Sequence, residues 1–128
     1  FRGIRWGTDI HGISGMTPVG EDGDLKFYQK EKESPAFEGV NTSRIVYGFY
    51  RGSLYAVFVY FESPQAFGTL RESLVKRYGE SRQPDPNVKK VFWDGKTVNM
   101  LLTYDDASNA GRLAYFFIPI QNELDVKQ

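Results

Sequence analysis

At 128 residues, with 41% hydrophobic and 16% aromatic content, the chain has the length of one ordinary domain and can bury roughly two-thirds of its unfolded surface. Sixteen basic side chains balance sixteen acidic ones, which argues against general nucleic-acid binding and against polybasic attachment to a lipid surface. The absence of cysteine excludes disulfides, thiolate metal sites and cysteine nucleophiles, and the longest apolar run, Leu54 to Phe61, is too short for a membrane-spanning helix.

The chain opens at Phe1 without a Met. It reads as a processed or trimmed product, with export to the periplasm or beyond favoured over a cytoplasmic location. Phe1 to Val19 is rich in glycine, and Thr8 followed by Asp9 suits the start of a brief helical turn. The cluster Gly20 to Asp24 reads as a turn, and Leu25 to Glu31 as a polar edge strand guarded by Lys26, Lys30 and Lys32. A short strand is expected over Phe37 to Val40.

A hairpin follows. Arg44 to Arg51 and Leu54 to Phe61 flank Gly52-Ser53, where a leading glycine suits a type II′ turn. That turn sets Tyr50 opposite Tyr55, Gly48 opposite Val57 and Val46 opposite Val59. Ile45, Tyr47, Phe49, Phe58 and Tyr60 then share one face. Val46, Tyr50, Tyr55, Val57, Val59 and Phe61 share the other. Both faces are apolar, so both need cover.

Ser63 as N-cap and Pro64 at the first helical position start a helix that Gly79 closes. Phe67, Leu70, Leu74 and Tyr78 form its apolar stripe, with Val75 at the margin. After a loop containing Pro84 and Pro86, a second hairpin runs from Val88 to Trp93, turns at Asp94-Gly95 and continues from Lys96 to Tyr104. Val91, Trp93, Val98, Met100, Leu102 and Tyr104 share its inner face. Arg112 to Ile118 is the last strand, ended by Pro119, and Gln121 to Gln128 reads as a polar tail that frays. The expected fold class is α+β: a largely antiparallel sheet of about six strands packed against one long helix, with the element order of a duplicated αβββ unit.

No catalytic, cofactor-binding or metal signature emerges. His11 is the only histidine and has no G-x-S-x-G elbow and no companion ligand. The acidic pairs and triplets at Glu21 to Asp24 and Asp105-Asp106 do not fit a calcium loop. Gly12-Ile13-Ser14-Gly15 lacks the Gly-Lys-Ser/Thr of a phosphate loop.

The runs Phe1 to Thr8 (Phe-x-Gly-Ile-x-Trp-Gly-Thr) and Ile45 to Leu54 (Ile-Val-Tyr-Gly-Phe-Tyr-x-Gly-x-Leu) carry a likeness. So do Tyr78-Gly79, Trp93 and Leu101 to Asp105. Together they resemble small, uncharacterised bacterial domains of exported or lipoprotein-like chains. That resemblance implies the fold and export, and no activity.

The second face of the first hairpin remains to be covered. The preferred cover is the N-terminal segment, through Ile4, Trp6, Ile10 and Met16. The alternative is a partner-binding patch of aromatic residues. The functional expectation is a non-catalytic interaction domain for a protein or cell-envelope component, with Trp6, Tyr47, Tyr50, Tyr55 and Tyr60 as contact residues. One alternative is a domain that holds an apolar or aromatic small molecule between sheet and helix. A carboxylate-dependent hydrolase acting through Asp105 or Asp106 is the third.

Overall fold

The Arg44–Phe61 ribbon lies in the middle of an antiparallel sheet in the computed structural model, which describes residues 1–127. The strands are β1 (Met16–Asp22), β2 (Leu25–Lys30), β3 (Ala36–Phe37), β4 (Val40–Asn41), β5 (Arg44–Tyr50), β6 (Ser53–Phe61), β7 (Lys90–Asp94), β8 (Val98–Asp105) and β9 (Ala110–Phe117). Helix α1 spans Pro64–Tyr78 and α2 spans Ile118–Lys127, and Ile10–Gly12 makes a single 3-10 turn. Seven strands form the main sheet in the order β1-β2-β5-β6-β9-β8-β7, while β3 and β4 pair alone. The α+β, antiparallel expectation holds. The count of about six strands and one long helix becomes seven strands and two helices.

The seventh strand comes from the acidic cluster. Only Gly23-Asp24 turns, since Asp22 pairs with Leu25. The residues before it form β1, so β2 lies inside the sheet and β1 takes the edge. Pro18, Glu21 and Asp22 on β1 suit that exposed position.

Sequence and structure agree most closely at α1. Ser63 Oγ accepts from the Ala66 amide at 3.1 Å, Pro64 opens the helix, and Gly79 caps it at φ +87°. Phe67, Leu70 and Leu74 are buried, but Tyr78, the last residue of the stripe, is 51% exposed.

The first hairpin turns one residue earlier than its glycine suggests. Tyr50 pairs with Ser53, and Arg51-Gly52 form the connection with φ of 49° and 85°. Both angles are positive, so glycine fills the second position of a type I′ turn instead of the first of a type II′ turn. Gly48 then pairs with Ala56 and Phe49 with Leu54, which leaves Tyr55 as the extra residue of a bulge. A one-residue slip exchanges the faces of an entire strand. Val57, Val59 and Phe61 therefore join Ile45, Tyr47 and Phe49 in the core beneath α1, together with Leu54. Tyr50, Tyr55, Ala56 and Phe58 occupy the opposite face.

The cover of that opposite face also differs from expectation. Ile4, Trp6, Ile10 and Met16 pack on the same core as α1 instead of lying across the back of the sheet. The back is covered by α2, whose Ile120 and Leu124 meet Tyr50, Tyr55 and Ala56. The polar tail is thus a helix up to Lys127, and Gln128 lies outside the described residues. Pro119 ends the strand by entering the first turn of that helix, where its missing N–H costs nothing. Ile120→Ala is expected to cost about 2–4 kcal/mol, read from the urea midpoint. A loss near zero would mean that α2 is not docked.

The strands β2-β5-β6 and β7-β8-β9 meet at the β6–β9 seam as two antiparallel meanders. The N-terminal turn at Ile10–Gly12 and α1, the two helices of the expected αβββ order, pack on the same core.

Candidate ligand cleft

On the α1 face, the helix covers only part of the sheet, and a hollow of about 660 Å³ opens beside its C-terminal end. The floor is sheet. Trp93 of β7, Met100 of β8 and Tyr115 of β9 all face the same side, because Trp93 pairs with Met100 and Met100 with Tyr115. Phe1, Arg2 and Trp6 form one wall. Phe37 and Glu38, at the tip of the β3–β4 hairpin, line it with Arg77, Tyr78 and Glu80 at the end of α1.

Each wall is fastened by specific bonds. Arg2 donates to Glu33 Oε2 at 3.0 Å and to the carbonyls of Ser34 at 2.9 Å and Ala36 at 2.6 Å, which ties the N-terminal segment to the small hairpin. Glu38 sits in the left-handed region at φ 50°, uncommon outside glycine. That backbone turn delivers its carboxylate to α1, where Ser73 Oγ donates to it at 2.5 Å and Arg77 Nη2 lies 2.8 Å away. Trp93 Nε1 donates to the Gly79 carbonyl at 3.3 Å, locking the indole against the helix cap. Beside it Arg82 holds Asp94 with two bonds, at 2.9 and 3.2 Å, and these keep the Asp94 carboxyl below its ordinary pKa.

The aromatic rings are packed against one another. Trp6 stacks on Phe117 at 6.1 Å and lies 6.4 Å from Tyr115, and Phe1 meets Tyr115 edge-on at 5.3 Å. Tyr115 is 6% exposed, and its hydroxyl has no hydrogen-bond partner among the described residues. Burial pushes its pKa up, so the phenol stays neutral at ordinary pH.

The five expected contact residues do not form one surface. Trp6 lines the cleft. Tyr47 lies in the core at 0% exposure, its hydroxyl donating to Glu33 Oε1 at 2.6 Å. Tyr50 and Tyr55 are buried on the opposite face, Tyr55 bonded to Gln121 of α2. Tyr60 is half-buried there, with the Arg44 guanidinium 4.7 Å from its ring. Tyr47, Tyr50 and Tyr55 are therefore closed to a partner by this chain itself.

The acidic pair has local tasks. Asp105 accepts from the Ala107 amide at 3.1 Å and from Ser108 Oγ at 2.9 Å, closing its turn, and Asp106 pairs with Lys89 at 2.8 Å. His11 is exposed and pairs with Asp9 at 2.9 Å. Among the described residues, no group of three or more His, Asp or Glu side chains is placed to hold a metal. Sequence reasoning found Trp6 but missed Trp93, Tyr115, Tyr78 and Met100 as lining residues. Three strands and a helix end bring them together, and no local motif records that meeting. No known protein family, curated protein or solved structure matches the chain.

Proposed function

We propose that the domain is a non-catalytic binding module that takes a small molecule with an aromatic body into the cleft between the β7–β9 sheet and the end of α1. The observation that carries this reading is the hollow of about 660 Å³ walled by two indoles and two phenols. Its size falls among those of small-molecule sites, and apolar walls with a few polar groups are their usual lining. The bonds at Arg2, Glu38 and Trp93 support a preformed site, because they fix the walls without a ligand.

Trp6 and Trp93 are the two tryptophans of the chain and both line the cleft, so intrinsic fluorescence reports its occupancy directly. A panel of small aromatic compounds is expected to contain members that change this fluorescence and raise Tm together. Tyr78→Ala, at an exposed rim position, should weaken them by about three- to tenfold, as expected for a lost ring contact of roughly 0.5–1.5 kcal/mol, while leaving Tm without ligand nearly unchanged. A panel that moves neither signal ends the proposal.

A second reading has its own observation. On the back of the sheet, beyond α2, Arg44 lies 4.7 Å from the Tyr60 ring and Arg112 5.2 Å from the Phe58 ring. Aromatic residues and arginine are enriched in protein interfaces, and this surface would suit an acidic protein partner. The double variant Arg44→Glu/Arg112→Glu should abolish capture of such a partner and spare cleft binding.

A further inference from the structure

Resting on the cleft as the binding site, we infer that its ligand is an organic cation, a protonated amine carried on an aromatic body. The charges lining the cleft point that way. Arg2 is matched by Glu33 at 3.0 Å and Arg77 by Glu38 at 2.8 Å, while Asp94 is matched by Arg82 at 2.9 Å. Glu80 lines the cleft and has no ion-pair partner among the described residues. Among the side chains the unspent charge is one carboxylate, while the Phe1 ammonium donates to the Ile4 carbonyl at 2.8 Å. An anion entering here would find both arginines occupied and would have to displace Glu38 from Arg77. A cation would meet Glu80 without displacing anything.

The walls agree with the charge. Trp6, Trp93, Tyr78 and Tyr115 line the cleft, and an ammonium within about 6 Å of an aromatic face is attracted to the negative side of its ring quadrupole. The unpartnered Tyr115 hydroxyl offers oxygen lone pairs that can accept an N–H of the amine. Trp93 leaves no competing donor, because its N–H is already spent on Gly79. The aromatic body of the ligand then occupies the apolar floor over Met100 and Val98.

Three probes with one ring and different charge test this: 2-phenylethylammonium, 2-phenylethanol and 3-phenylpropanoate, each titrated against tryptophan fluorescence and Tm. The cation is expected to bind at least about fivefold more tightly than the alcohol, with the anion weakest. In Glu80→Gln the cation should lose about threefold in affinity and the alcohol nothing. Equal affinities for the three probes, a tighter anion, or a cation affinity untouched by E80Q overturns the charge inference and leaves the cleft standing. If none of the three moves fluorescence or Tm, both readings fall.

Discussion

Replacing Gly111 by alanine is expected to destabilise the domain by roughly 2–4 kcal/mol, in the upper range for overpacking. Gly111 pairs with Phe61 on one side and with Tyr104 on the other. The two rings stack across it, 6.3 Å apart and only 9° from parallel, filling the place of a side chain. A Cβ built at Gly111 would lie 2.0 Å from the Phe61 ring. That ring is fully buried, and Tyr104 behind it is braced by Phe67 at 6.4 Å, so it has no free direction in which to retreat. Gly68 supplies the opposite sign. It is an exposed position within α1 with open space around its Cβ position, so Gly68→Ala should stabilise by about 0.5–1 kcal/mol. Denaturant midpoints at equal slope distinguish the two. If both variants shifted the midpoint alike, the packing account of Gly111 would be wrong.

The two hairpins explain how much of the fold was legible. In the second, Asp94 pairs with Asn99, so four residues close a loop where two were expected. The error was an even number of residues, and Val91, Trp93, Met100, Leu102 and Tyr104 still share the inner face as expected. In the first hairpin the error was a single residue, which sent Phe58 to one face and Val57 and Val59 to the other. Side chains alternate with period two, so only odd errors change what is buried. Glycine in a turn announces the turn but not its type, because I′ and II′ both accept it.

Other misreadings have the same origin in long-range contacts. The α2 stretch has too few apolar residues to declare a helix alone. Its amphipathic pair, Ile120 and Leu124, gains meaning only against Tyr50 and Tyr55, far away in sequence. The cleft was invisible for that reason too. Trp93, Met100 and Tyr115 are ordinary inward-facing strand residues, and they become a floor only because α1 ends before covering them.

Raising the pH above 10 is expected to unfold the domain cooperatively, because three phenols are neutral in the core. Burial pushes Tyr55 up to about 12, helped by the Asp125 carboxylate. Tyr47 and Tyr115 are pushed up further, chiefly by burial, with Glu33 adding at Tyr47 and the charges of Tyr78 and Glu38 at Tyr115. A phenol whose pKa is raised by folding stabilises the native state fully below the unfolded value, about 10. That contribution is lost as pH climbs, since the unfolded chain then binds fewer protons. Each group removes up to about 1.4 kcal/mol per pH unit, so a domain in the lower part of the usual range of about 5–15 kcal/mol should melt near pH 11–12. Near-UV phenolate absorbance and circular dichroism should change together for these three of the eight tyrosines. Smooth ionisation of all eight with tertiary signal intact would refute the account. Tyr115→Phe sharpens the case: its hydroxyl has no partner, so stability at neutral pH should hardly move while the alkaline midpoint rises. Tyr47→Phe should instead lose about 1–3 kcal/mol at neutral pH, because Glu33 Oε1 loses its donor inside the fold.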